Sequence, residues 1–328
     1  MIGEPRLYYS NAVIAMRLLH FFKKGGDTVK TLTNTTRGYW CAALGGVIWG
    51  LSGVAGQFLL SVYDASPFWL TGVRMTCAGI VFLILSLRQT RSLGIVVRHP
   101  KELITIFVYG IFGLMLNQLS YFFSISYSNA GTATVLQTLC VVMMAVLVCL
   151  QRRRLPYSRE VLSVILAFIG VVLIATHGRI TELVLSPRAL IWGLLDAVSC
   201  VVYTLLSIKP VRKWGSVVVN AIGMLTGGIF LSLLYRPWEA MPHLDLAGWL
   251  AFFGIVLFGT VLTYVLFLQG VRDIGPLNTT LIATVEPVSS ALCSALLLGT
   301  VFTFAEIVGL VLIIATVFLI VAQKKVTG

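Results

Sequence analysis

"IATVEPVSSALCSALLLG", residues 282–299, places a glutamate and a proline side by side inside an otherwise apolar run. In water, a charge and a helix breaker would mark such a stretch as a surface turn. The rest of the chain argues against water. Of 328 residues, 58% are hydrophobic and only 11% are charged, with a mean hydropathy of +0.95. Soluble domains carry about a quarter charged residues. This much apolar surface does not fit inside one water-facing core, so the surrounding solvent is a bilayer.

Working outward from Glu286, apolar runs of about 20 residues, the length that spans a bilayer core, occur ten times. They cover 39–61, 67–87, 103–123, 132–150, 157–176, 189–209, 217–235, 247–269, 276–299 and 302–322. The fold class expected is therefore an all-α polytopic membrane protein of ten transmembrane helices.

The net charge of +12 would suggest nucleic acid in a soluble protein. Here it sorts by side of the membrane. With the N-terminus in the cytoplasm, twenty basic residues fall in inside segments and three outside, Arg179, Arg188 and Arg236. Arg74 lies within a span. Both termini are expected inside, and no nucleic-acid partner is implied. "QRRRLP" (151–156) reads as a topology anchor or as a lipid-headgroup site. The six cysteines (41, 77, 140, 149, 200, 293) all fall in spans without a CxxC, so no disulfide is expected. "NAVIAMRLLHFFKK" (11–24) has no signal-cleavage pattern after it. It reads as an interfacial helix, a dispensable tail, or a stretch upstream of a true start at Met16.

The chain also repeats. A displacement of 146 residues sets "LQTLCVVMMAVLVCL" (136–150) on "IATVEPVSSALCSAL" (282–296), and "EVLSVILAFIGVVLI" (160–174) on "EIVGLVLIIATVFLI" (306–320). "GGVIWG" (45–50) matches "SCVVYT" (199–204), and "MTCAGI" (75–80) matches "MLTGGI" (224–229). Such order points to an internal repeat. The expected organisation is a cytoplasmic tail (1–38), a first repeat (39–176), an extracytoplasmic linker (177–188), a second repeat (189–323) and a cytoplasmic end (324–328). Five spans is an odd number, so the second copy enters from the opposite side. Inverted repeats are typical of alternating-access transporters, with sites near the midplane beside interrupted helices.

Two five-span halves, Arg74 in "PFWLTGVRMTCAG" (67–79) and the Glu286-Pro287 pair resemble the EamA family of the drug/metabolite transporter superfamily over about residues 39–323. The resemblance implies a central cavity between the repeats and transport of small organic solutes, with export of amino acids or related metabolites common among similar proteins. One departure is Cys140-Val141, where similar proteins often carry a fourth-span proline.

Glu286 stands about ten residues into its span, or about 15 Å, at the midplane. An acidic group there costs about 2.5–3.5 kcal/mol on translocon scales, so it faces a cavity, finds a partner or carries a proton. Pro287 cannot donate to the carbonyl of Ala283, which predicts a helix break. Thr279, Thr280, Thr284, Ser289 and Ser290 are available to line or repair it. Glu286 is read as a substrate or coupling-ion contact, or as a structural brace. Arg74, about 10 Å from its span's outer end, is expected to meet a substrate carboxylate, pair with Glu286 or Asp196, or snorkel. Asp196 has the same alternatives of site or structure.

Trp49 and Tyr203, at equivalent repeat positions, join Asn117, Gln118, Tyr121, Gln137, Thr263 and Tyr264 as polar and aromatic groups at membrane depth. Aromatic walls with a few amides suit an amphipathic organic solute, although each group alone also suits helix packing. Trp40, Trp69, Trp238 and Trp249 sit at span ends and read as interface anchors. The glycines of "GGVIWGLSGVAG" (45–56) allow close helix packing, within one chain or in a homodimer.

His20, His99, His177 and His243 show no metal-ligand spacing, and no catalytic or phosphate-loop signature occurs. No cofactor, metal or enzymatic activity is expected. The function expected is a secondary transporter in a bacterial inner membrane, exporting amino acids or similar zwitterions, with the proton as a candidate coupling ion. A lipid or polyprenyl-phosphate flippase is the alternative, and an integral-membrane enzyme a weaker one. The charge pattern predicts that a fluorescent reporter fused at the C-terminus is fluorescent, whereas alkaline phosphatase fused there is inactive. The opposite result would invert the topology.

Overall fold

A computed structural model describes residues 34–89, 92–151, 153, 155–179, 184–239 and 241–327. The 11–24 stretch, Arg152 and Arg154 lie outside them. The described residues are helical with no strand. In chain order the helices are α1 (Asn34–Val62), α2 (Pro67–Gln89), α3 (Ser92–Val97), α4 (Pro100–Val108), α5 (Leu116–Tyr127), α6 (Ala130–Gln151) and α7 (Ser158–Thr176). They continue with α8 (Pro187–Trp214), α9 (Ser216–Tyr235), α10 (Leu246–Val256), α11 (Thr263–Ala283), α12 (Val285–Leu298) and α13 (Phe304–Thr327). Eight helical segments are long and apolar enough to cross a membrane, and Val285–Leu298 and Phe304–Leu319 are shorter apolar helices. Leu150, Phe168, Ile191, Leu233, Leu250 and Leu296 point outward, as lipid-facing side chains do.

Two π-helical segments, Tyr109–Met115 and Leu257–Leu262, join α4 to α5 and α10 to α11. Neither was expected from the apolar pattern. In the second segment threonine hydroxyls bond carbonyls five residues earlier. Thr260 Oγ1 donates to Ile255 O at 3.1 Å, and Thr263 Oγ1 to Phe258 O at 2.7 Å. These side chains take up carbonyls that the widened turn frees.

The helices pair in a regular way. α2 packs on α9, and α7 on α13. α1 packs on α11 and α12, just as α8 packs on α5 and α6, and α6 meets α12. Exchanging the halves at the sequence offset maps these pairs onto one another. The matched glutamates also do the same work. Tyr157 N donates to Glu160 Oε2 at 2.8 Å, and Thr303 N to Glu306 Oε2 at 2.7 Å. Each glutamate thus takes up a backbone N–H left free at a helix start.

The ninth apolar run is divided where Pro287 leaves the Ala283 carbonyl without a donor. The helix break falls at Thr284 (φ −64°, ψ −2°), ahead of Pro287, and α12 starts at Val285. Pro287 therefore occupies the first turn of a new helix, where its missing N–H costs nothing. It kinks no continuous span. The first half of the run, 276–283, belongs to α11. A Cβ on Gly270 would lie 3.0 Å from Thr279 Cγ2, yet nine residues of straight helix span about 13.5 Å. The chain thus doubles back between Gly270 and Thr279. α6 is one uninterrupted helix through Cys140-Val141. That agrees with the absence of a proline there.

Arg37 at the start of α1 clamps this bend. Its Nε and Nη2 donate to Asp273 Oδ2 and Oδ1 at 2.8 and 2.9 Å, and Gln269 Nε2 donates to the same carboxylate at 2.9 Å. Trp69 corrects another expectation. It is 2% exposed and packs on Phe252, so it is a core residue, whereas Trp40 and Trp238 are exposed. The six cysteines are free thiols.

The glycine face of α1 is spent inside the chain. A Cβ on Gly46 would lie 2.7 Å from Val285 Cγ1, and one on Gly50 2.1 Å from Ser289 Oγ and 2.6 Å from Glu286 O. On Gly53 it would meet the Tyr121 hydroxyl at 2.4 Å, and on Gly56 the Phe122 ring at 2.6 Å. Gly50→Leu is therefore expected to lower folded yield and melting temperature, overpacking of this kind costing about 1–3 kcal/mol. Gly254→Ala, whose Cβ would meet nothing within 4 Å, is the matched control. Equal melting of the two variants would overturn this packing.

Candidate functional site

Arg74 comes from the middle of α2 and is 6% exposed. Its Nε donates to Thr260 Oγ1 at 3.1 Å, and its guanidinium carbon stands 5.3 Å from the centre of the Phe122 ring. The threonine of the π segment thus holds the arginine, and an aromatic face supports it. No ion pair joins Arg74 to Glu286 or Asp196 among the described residues, so the expected pairing does not form. Nor does the side chain snorkel. A buried cation held by one neutral hydroxyl and one ring keeps most of its five donors uncommitted.

Glu286 lies in the first turn of α12, where the helix N-terminus favours a negative charge. Its carbonyl accepts from Ser289 Oγ at 2.9 Å. Its carboxylate has no hydrogen bond or ion pair among the described residues. The side chain is enclosed by the helices yet only half-buried. Glu286 is thus, among the described residues, a half-buried carboxyl without a partner at a helix start.

Tyr121 lies within electrostatic reach of Glu286, Asp196 and Arg74. Its hydroxyl bonds Thr134 Oγ1 at 2.9 Å, and Thr134 Oγ1 donates to Ser290 Oγ at 3.3 Å. This chain of hydroxyls links α5, α6 and α12. It forms because Gly53 has no side chain to occupy the place of the tyrosine hydroxyl.

The aromatic residues assemble a wall. Trp49 meets Tyr264 edge to face at 5.7 Å and lies 5.5 Å from Phe267. Tyr264 hydroxyl is 3.4 Å from that of Tyr203, and Tyr203 stacks on Tyr109 at 5.8 Å. Tyr109 in turn donates to Asn220 Oδ1 at 2.8 Å. Trp49 and Tyr203 thus meet at one tyrosine.

Asp196 sits apart from the accessible groups, at 0% exposure. Asn117 Nδ2 and Gln137 Nε2 donate to its Oδ1 at 2.8 and 3.3 Å. Ser199 Oγ donates to its backbone carbonyl at 2.8 Å. Thr284, half-buried, is the junction of α11 and α12, immediately before Glu286's helix.

Five residues of this region were not among the candidates: Thr260, Thr134, Tyr109, Asn220 and Gln57. Gln57 Oε1 accepts from Ala130 N and Ser294 Oγ, both at 2.8 Å, tying α1 to the start of α6 and the end of α12. In sequence each is one polar group in an apolar run, a signal shared with many packing residues. Thr260 had one local mark, a second threonine three residues later. An apolar groove lined by Leu83, Phe107, Ile111, Leu225 and Phe230 shares no residue with this polar cluster.

Comparison with known proteins agrees with this architecture. A model of the EamA-like transporter family matches residues 36–176 and 187–322. The "Uncharacterized inner membrane transporter YicL" of Salmonella typhimurium is 32% identical over 294 residues, covering 89% of this chain and 97% of that protein. An "Uncharacterized transporter" of Archaeoglobus fulgidus is 25% identical, covering 86% of this chain and 98% of the relative. A solved structure described only as "Crystal structure of protein" shares the fold, with a TM-score of 0.53 at 18% identity, over 84% of this chain and 95% of that one.

Thr260→Val would strand a buried Arg74 donor, which costs about 1–3 kcal/mol. The variant is expected to melt lower than the wild type, and Arg74→Met combined with it to recover part of the loss. Additive losses in a double-mutant cycle would show that the two side chains do not interact.

Proposed function

We propose that the chain, which belongs to the EamA-like transporter family, is a secondary transporter of small organic solutes in the bacterial inner membrane. Ten membrane helices in two five-helix halves of inverted topology, with both termini in the cytoplasm, are the arrangement we infer. The symmetric helix pairing, the π segments at corresponding places in the third and eighth spans, and the doubling back of α11 support it. The last of these supports ten passes, since the returning part of α11 adds length ahead of the short α12. Relatives named as transporters support transport and not catalysis.

The cargo we infer is an amino acid or similar zwitterion, moved outward. One observation carries this reading: Arg74 and Glu286 both lie within electrostatic reach of Tyr121 yet pair with no opposite charge among the described residues. A zwitterion supplies both missing partners, its carboxylate to the guanidinium and its ammonium to Glu286. The aromatic wall of Trp49, Tyr203 and Tyr264 then receives the side chain of the solute, and Tyr121 and Thr284 supply polar contacts around it, the amides of Asn117 and Gln137 being spent on Asp196. Alternating access follows as the halves rock about this midplane region. Thr284, between α11 and α12, is where the helices that carry the site are free to change angle.

Counterflow in proteoliposomes tests the reading, with a panel of labelled amino acids and amines. Saturable exchange of a zwitterion is expected. Glu286→Gln and Arg74→Ala should each reduce it at least tenfold while leaving folded yield intact. Exchange unchanged in both variants would remove the charges from the site. Exchange confined to amines would retain Glu286 and remove Arg74 from recognition.

A further inference from the structure

Asp196 is the buried titratable group that the transport reading leaves unused. It lies on α8, and its carboxyl is packed between α5 and α6. Oδ1 receives both amide donors, from Asn117 at 2.8 Å and Gln137 at 3.3 Å. Oδ2 has no protein partner among the described residues and is enclosed. The residue is 0% exposed.

This asymmetry is chemically informative. An ionised carboxylate shares its charge over two oxygens and needs donors at both. A carboxylic acid has one carbonyl oxygen, which accepts, and one hydroxyl. The two amides on Oδ1 mark that atom as the carbonyl. An enclosed ionised oxygen without a donor costs far more than an enclosed neutral hydroxyl.

The neighbours agree. Cys200 of α8 itself, Glu286 of α12 and Tyr121 of α5 lie within electrostatic reach, and none is a cation. Ser120 and Ser199, 3.2 Å apart, donate at 2.6 and 2.8 Å to the carbonyls of Leu116 and Asp196, which leaves Ser120 beside the carboxyl as a neutral neighbour with its proton directed elsewhere. From the other elements that pack on α8, Tyr109 donates to Asn220, and Glu102 of α4 is held by Lys213 and Trp214. No cation faces Asp196 from any of them.

We propose that Asp196 is a proton-binding site distinct from the solute contacts, with its proton on Oδ2 occluded in this conformation. The proton reaches water only when α8 moves against α5 and α6. That movement separates the amides from Oδ1, and donors or water then become available to both oxygens. Occupancy of this site by a proton is thereby tied to the position of α8. Its use as a coupling ion rests on the transport reading above, whereas the proton itself does not.

Infrared spectra of the purified full-length chain in lipid test this without any solute. At neutral pH, where an ordinary aspartate is ionised, the difference between wild type and Asp196→Asn is expected to contain the carbonyl stretch of a protonated carboxylic acid. The same band is expected between Glu286→Gln and the double variant, which separates it from Glu286. In heavy water it should shift slowly, as an occluded group does. Loss of carboxylate stretches in place of that band would show Asp196 ionised and overturn the proposal. A band that exchanges at once would overturn the occlusion. Asparagine has the shape and donor of the protonated acid, so Asp196→Asn is also expected to melt as the wild type does. Collapse of its folded yield would count against the proposal. Counterflow decides the transport reading separately, because neither infrared outcome depends on it.

Discussion

Hydrocarbon cannot solvate a polar group, and the close contact of α1 with α12 and α5 follows from that constraint. Glycines at 46, 50 and 53 bring α1 within atomic contact of Val285, Ser289 and Tyr121. With side chains there, α12 would stand farther off. The hydroxyls of Tyr121, Thr134 and Ser290 would then lose their register and face lipid or void. The position of Glu286 also depends on this approach, since its backbone carbonyl lies where the Cβ of a larger residue 50 would be.

The same constraint explains the widened turns. A π segment leaves carbonyls without their usual helical donors, and inside a bilayer those carbonyls must be met locally. Thr260 and Thr263 meet two of them. Thr260 then has an oxygen lone pair directed at α2, and Arg74 uses it. A local backbone irregularity thus becomes the anchor of a buried cation. In this way the π segment links backbone geometry to the electrostatics of the bundle centre.

Charge in the bundle is divided by purpose. At the bend of α11, Arg37 and Asp273 satisfy each other with two short bonds and help from Gln269. Near the centre the pattern is reversed: Arg74 is held by a hydroxyl and a ring, Glu286 by its helix terminus alone, and Asp196 by amides on one oxygen. Paired charges close a structure, whereas unpaired ones at this depth are costly unless something else visits them. That contrast is the physical basis for the site proposed around Arg74 and Glu286, whereas Arg37 and Asp273 hold the bend together.

Composition and periodicity determined the membrane setting, the helical class and the candidate polar groups, because apolar run length and the rarity of charge are local properties of the chain. Glu286, Arg74, Trp49, Tyr203 and Tyr264 stood out for that reason, and the doubled pattern showed which positions correspond. Sequence also marked Pro287 and the Ala283 carbonyl that it leaves without a donor, and the helix ends at that residue. Whether that free carbonyl only kinks a helix or separates two depends on what packs around it, and α1 lies against both α11 and α12. Tertiary structure alone decided that Trp69 is core, that the α1 glycines face inward, and that Arg74 meets Thr260 and no carboxylate. Each of these depends on which residues distant in sequence become neighbours, a relation that no single apolar run encodes.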